Sequence, residues 1–276
     1  MNVHWGLLVV LYLFLAGMAG GIYFTASFYD FFTGQRTNIS KKGYTISFVL
    51  LLVAVFLLIL DLERPSRFVH MMLAYKFFSP MSVGSWGLLF FGLNSFITVC
   101  INSEGALKPL GDFFLRIAPF RVYGLVGVAL SVFLSTYTGV LLSETTRTLW
   151  SATPFLGALF LASGISCGVC LLLLIEKEDE VFLKQGKRFD NICLVVELSV
   201  IFFYILALTI GYGPYAETSK LFTGLYGLLF IGGGILIGTV IPILMNIAGM
   251  KGKVVPVLVL VGAFLLRYAI VYAGQQ

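Results

Sequence analysis

Apolar residues run along this chain in stretches of about twenty, parted by short polar connections, and the pattern recurs eight times. The stretches are Trp5–Phe28, Tyr44–Leu60, Val83–Ile101, Val122–Leu142, Pro154–Ile175, Ile192–Ile210, Leu225–Met245 and Val254–Tyr272. Each comes near the ~20 residues that carry a helix across a bilayer. All are longer than a barrel strand and none alternates strictly between apolar and polar, so the pattern predicts helices. The series reads as an all-α, polytopic membrane protein of eight transmembrane helices, in two successive groups of four. No soluble domain interrupts it, so residues 1–276 are expected to form one transmembrane domain. The first stretch has neither a basic leader nor a small-residue cleavage site, and reads as a lasting span rather than a signal peptide.

The two longest connections, Asp61–Ser82 and Asn102–Arg121, hold apolar stretches of their own, such as "FVHMMLAYKFF". These predict short amphipathic segments along the membrane interface. Composition agrees with the pattern. The chain is 59% hydrophobic and 11% charged, whereas a soluble domain carries roughly 25% charged residues, which excludes an ordinary water-soluble fold.

Charge adds a direction. On the side opposite the N-terminus the connections carry Arg36, Lys41, Lys42, Lys108, Arg116, Arg121, Lys177, Lys184, Lys187, Arg188, Lys251 and Lys253. The N-terminal side has half as many: Arg64, Arg67, Lys76, Arg147, Lys220 and Arg267. Basic connections stay in the cytoplasm, so both termini are expected outside. The net charge of +5 then reflects topology and implies no nucleic-acid partner.

Some chemistry is missing. A membrane haem needs axial histidines inside its helices, and the two histidines are His4, at the very start, and His70, in a connection. No haem is expected, and no iron–sulfur spacing, nucleotide loop or H-E-x-x-H occurs. The "CGVC" at 167–170 has the form of a redox or metal motif. It lies mid-helix with no basic neighbour to favour a thiolate, and small-residue helix packing accounts for it as well.

The polar groups that remain collect toward the outward side. Asp61, Glu63, Arg64 and His70 follow the second stretch; Tyr137, Glu144 and Arg147 close the fourth; Tyr12 lies in the first and Arg267 in the last. Arg267 has two readings. It snorkels to the headgroups, or it faces the bundle, neutralises Glu144 or Glu63 and lines a pocket. Glu197, in "NICLVVELSVIFF", stands one and a half turns inside its apolar stretch. An intramembrane carboxylate is costly; Glu197 is either a proton relay or a neutral acid hydrogen-bonded between helices. Gly17 with Gly21, and Gly234 with Gly238, form small-xxx-small pairs that let helices approach.

Five segments now bear on identity: "LYLFLAGMAGG" at 11–21, "DLERPSRFVHMM" at 61–72, "SPMSVGSWGLL" at 79–89, "YTGVLLS" at 137–143 and "LLRYAIVYAGQ" at 265–275. In this order they resemble the NrfD/polysulfide reductase family of integral membrane subunits, over nearly the whole chain. The resemblance implies a quinone-interacting anchor in a prokaryotic cytoplasmic membrane, not catalytic alone. Such an anchor exchanges electrons between a menaquinone or ubiquinone pool and an external four-cluster iron–sulfur subunit, often with a molybdopterin catalytic subunit beyond it. It implies quinone as substrate and no haem or iron–sulfur cluster in this chain. The quinone ring is expected near the outward surface, where Tyr137 of "YTGV" matches a quinone-contacting tyrosine. Other contacts of that pattern are an asparagine and a histidine of the first helix; the matching positions here are Val9 and Tyr12, so Tyr12 is the expected donor. Glu63, Arg64, His70, Glu144, Arg147 and Arg267 are expected to shape the quinone pocket, and Asp61 and Glu197 to move protons. Trp86 serves as an apolar wall or an interfacial anchor. Two other classes remain open. A secondary transporter or ion channel would use broken mid-membrane helices, for which Pro154 and Pro242 are the candidates. A purely structural anchor would use the tyrosines only to pack.

Overall fold

The computed structural model describes residues 5–61, 80–145, 147–151, 153–210, 215–250 and 252–276. Among them the regular structure is all helical, and eight helices are long and apolar enough to cross a membrane. They are α1 (Leu7–Thr33), α2 (Asn38–Asp61), α3 (Pro80–Asn102), α5 (Phe120–Ser143), α6 (Phe155–Ile175), α7 (Glu180–Ile210), α8 (Gly224–Ile247) and α9 (Val254–Ala273). The connection after α3 forms a ten-residue helix, α4 (Lys108–Ile117), with Pro109 in its first turn and Arg116 in its last. The "FVHMMLAYKFF" stretch lies outside the described residues.

Several helices outrun the apolar stretches that announce them. α1 continues to Thr33 because Tyr29 and Asp30 turn inward. Tyr29 Oη donates to Asp179 Oδ2 at 2.8 Å and Asp30 Oδ2 accepts from Tyr44 Oη at 2.9 Å. The helix stops at Gly34, whose φ of 70° is the left-handed conformation that ends a helix. α2 starts early because Thr37 Oγ1 accepts the N–H of Ser40 at 3.2 Å, an N-cap. α7 begins twelve residues before Ile192 for the same reason: Asp179 Oδ1 accepts the N–H of Phe182 at 2.8 Å. Its polar opening is therefore helix, and Glu197 sits near the middle of a 31-residue helix rather than near an end.

α1 is the central helix. In its most apolar window 67% of residues are buried, against 28% in α2, and it packs on α2, α5, α6 and α9. Lipid is as apolar as leucine, so helices in it associate through close packing and polar contacts. The closest approach uses glycines on both sides. A Cβ on Gly168 would land on the backbone at Gly21, and one on Gly164 would stand 2.8 Å from the carbonyl of Gly17. Gly17 and Gly21 thus set the α1–α6 crossing, and Gly168 places the "CGVC" motif in it. Gly238 does the same on α9, facing Gly262. Between Leu228 and Val240, α8 is wound as a π-helix, and it returns to α-helix next to Pro242.

Trp5 and Gln275, at the two ends of the described residues, meet on one face, here the near face. Trp5 N donates to Gln275 Oε1 at 2.8 Å and Gln275 Nε2 donates to Trp5 O at 3.0 Å. Trp150, in the short turn Thr148–Ser151, packs against Trp5 with ring centroids 5.3 Å apart and donates to Ile270 O at 2.9 Å. The opposite, far face joins the α1 end to the start of α7.

Candidate functional site

Two phenols stand in the near half of the bundle. Tyr12 is five residues from the start of α1 and Tyr137 six from the end of α5, about 8 Å and 9 Å in depth at 1.5 Å per residue. Both are buried and they lie within electrostatic reach of one another. The reason is the chain direction. α1 enters from the near face and α5 leaves through it, so residues at these offsets share a level. Tyr137 stacks on Phe133 at 5.8 Å and its ring rests against Gly84 of α3, where a Cβ would overlap the ring.

Arg267 faces the bundle and is fully buried. Its Nη1 donates to Ser163 Oγ at 3.0 Å and to Ala263 O at 3.1 Å, and Nη2 donates to Phe160 O at 3.3 Å. The guanidinium lies over the rings of Phe160 at 4.9 Å and Phe14 at 5.7 Å, and its Nε has no partner. Snorkelling outward and pairing with Glu144 are both corrected by this geometry. Helical side chains lean toward their own N-terminus, and α9 starts at the far face, so Arg267 points deeper and bonds the carbonyl one turn back. Glu144 is an exposed C-cap of α5. The carboxylate within reach is Glu197 of α7, which is buried and approaches Ser163. The pair is bridged, not direct: the ion pairs among the described residues are Lys41–Glu104 and Lys42–Glu176. Two turns along the same face of α7, Asp190 accepts from Ser166 Oγ at 2.7 Å.

The other expected residues are more dispersed. Asp61 ends α2 beside the start of α1, 3.9 Å from where a Gly6 Cβ would stand. Arg147 heads the turn that carries Trp150, its carbonyl accepting the N–H groups of Trp150 and Ser151. Trp86 packs against Phe90 at 5.6 Å. Glu63, Arg64, His70 and His4 lie outside the described residues.

Sequence reasoning passed over a second buried polar group, near the far face. Asp30 also accepts the N–H of Thr37 at 3.1 Å; Tyr44 donates to Ser27 Oγ at 3.2 Å; and Asn94 Nδ2 donates to Tyr23 Oη at 2.9 Å. Asn94 inside an apolar run, and Asp30 just past the end of one, were its signal. So was Ser163, one turn from Cys167, which links Arg267 to Glu197.

The protein resembles known proteins over its whole length. Over residues 1–276 it matches the family described as polysulphide reductase, NrfD. It is 33% identical to the C subunit of the polysulfide reductase of Wolinella succinogenes, covering 99% of this chain and 94% of that one. It is 30% identical to the NrfD homolog of Haemophilus influenzae, covering 99% and 95%. Against NrfD of Escherichia coli the identity is 26%, over 99% and 96%.

Proposed function

The chain belongs to the polysulphide reductase NrfD family, and from that premise we propose that it is the quinone-interacting membrane subunit of a redox complex. In this reading the near face is the extracytoplasmic face of a prokaryotic cytoplasmic membrane. There the protein docks a four-cluster iron–sulfur subunit, with a molybdopterin catalytic subunit beyond it. Electrons pass between a menaquinone or ubiquinone substrate and that partner. The basic bias toward the far face supports the orientation. In this reading the eight helices form one domain, two successive groups of four joined across the α1–α6 crossing.

The observation that carries the reading is the shared level of Tyr12 and Tyr137, on two helices, beneath the near face. A quinone needs an apolar slot for its ring and donors for its two carbonyls. Phenol hydroxyls supply the donors, and Phe133 beside Tyr137 supplies apolar wall. Asp61, Glu144 and Arg147 stand at the near-face helix ends, where a quinol proton would leave; Glu63, Arg64 and His70 belong to the same connection as Asp61. Arg267 and Glu197 lie deeper. We assign Glu197 to proton relay and Arg267 to holding its carboxylate in register through Ser163.

Tyr137→Phe tests the pocket. It deletes one donor and little volume, and a lost hydrogen bond costs about 0.5–1.5 kcal/mol. Quinol-dependent turnover of the complex is expected to fall several-fold, while dye-linked activity of the partner subunits holds. Unchanged quinol turnover would remove Tyr137 from the site.

A further inference from the structure

At the far face, α1 and α7 diverge to leave a groove of about 340 Å³. Its chemistry changes along its length. The deeper end is apolar, formed by Ile192, Phe28 and Phe189, the two rings stacked at 5.4 Å. Toward the far face Gln185 and Arg188 add polar groups beside Tyr29, Phe32 and Phe182. Arg188 lies four residues before Ile192, where the apolar run of α7 begins. That places the cation about 6 Å above it, at headgroup depth. The apolar end is open to the bilayer: Phe28 is 50% and Ile192 61% exposed.

The cation is not neutralised from within. Arg188 is exposed and makes no ion pair among the described residues. Of the acids nearby in sequence two are engaged elsewhere, and Glu178 and Glu180 make no ion pair among the described residues. Asp179 accepts from Tyr29 Oη and the Phe182 N–H, and Asp190 turns inward to Ser166. Lys184, one turn before Arg188, is also exposed and without an ion pair among the described residues. An aromatic-walled slot that ends under unpaired cations is complementary to an amphiphile with a negative head. We propose that this groove is a binding site for an anionic phospholipid, an acyl tail lying along Phe28, Phe189 and Ile192 and the phosphate on Arg188. This site stands apart from the tyrosine pocket and does not depend on what that pocket binds.

The test uses the full-length protein in nanodiscs of phosphatidylcholine doped with phosphatidylglycerol. Lipid retained after release into mild detergent is counted by native mass spectrometry. The wild type is expected to keep phosphatidylglycerol in preference to phosphatidylcholine. Arg188→Gln is expected to lose about fivefold of that preference, the worth of one interfacial cation, and Arg188→Lys to keep most of it. Phe28→Ala is expected to reduce retention with the cation intact, whereas Arg116→Gln, an exposed arginine on α4, leaves it unchanged. No preference in the wild type, or retention by Arg188→Gln at the wild-type level, overturns the site. Equal losses in Arg116→Gln and Arg188→Gln, or an indifferent Phe28→Ala, assign the effect to diffuse surface charge and overturn it as well.

Discussion

Arg267 and Glu197 meet at one hydroxyl: the guanidinium donates to Ser163 Oγ at 3.0 Å, and the carboxylate approaches the same oxygen. Three helices thus converge on a buried guanidinium and a buried carboxyl group near the middle of the bundle. Removing one member of a buried pair leaves the other uncompensated, which can cost ~3–5 kcal/mol. Arg267→Ala is therefore expected to lower the thermal unfolding temperature of the purified subunit sharply. Arg267→Ala combined with Glu197→Gln is expected to recover much of the loss. Strictly additive effects in this double-mutant cycle would show that the two groups do not interact.

Glu197→Gln alone separates relay from packing. A glutamine keeps the shape and a polar group beside Ser163 but carries no proton across. Proton-coupled quinol turnover is expected to fall while quinone affinity is retained, as read from turnover and binding in proteoliposomes. Full turnover across a pH series would leave Glu197 a structural residue.

The glycine contact between α1 and α6 makes a stability prediction. Gly168→Val would drive a branched side chain into the backbone at Gly21, and overpacking typically costs about 1–3 kcal/mol. Gly105→Ala, with nothing near its added Cβ, is expected to be silent. Thermal unfolding of both variants in detergent decides it; equal midpoints would mean that the crossing is looser than drawn.

At the far face, Glu176 Oε1 accepts the N–H groups of Lys177, Glu178 and Asp179 at 3.0, 2.9 and 3.2 Å. These donors, that of Glu178 foremost, hold its carboxyl below the usual range, with Lys42 nearby adding to the effect. A depressed carboxyl stabilises the fold in its ionised form. That stabilisation is full above the unfolded pKa of about 4.3 and is lost as pH falls through the lower folded value. Glu176→Gln is expected to be less stable than the wild type at neutral pH, the two converging in acid. A gap that stayed constant with pH would point to packing instead.

Orientation has its own test. Cysteine at Lys184, exposed on the far face, is expected to resist membrane-impermeant reagents in intact cells, and cysteine at Glu217 to react. Reversed labelling would turn the near face, with Tyr12 and Tyr137, toward the cytoplasm.

Hydrophobic length alone determined the number and order of the spans, because a bilayer accepts few other solutions for such runs. Gly17, Gly21 and the "CGVC" segment also announced close helix approach, since a missing Cβ permits it. Helix ends were less legible. Asp30 and the residues from Glu180 to Asn191 look like connection by polarity, yet remain helical because caps and cross-helix hydrogen bonds satisfy them. Tyr12 and Tyr137 could be placed at one level by counting from helix ends, since depth is linear in sequence. The partner of Arg267 could not. Counting gives depth but not the direction in which a side chain leans, nor which neighbour lies across the helix. α9 presents Arg267 toward its own N-terminus, and the packing of α6 and α7 sets Ser163 and Glu197 in its path. Tertiary structure thereby chose a deep carboxylate over the acids at the surface that sequence had offered.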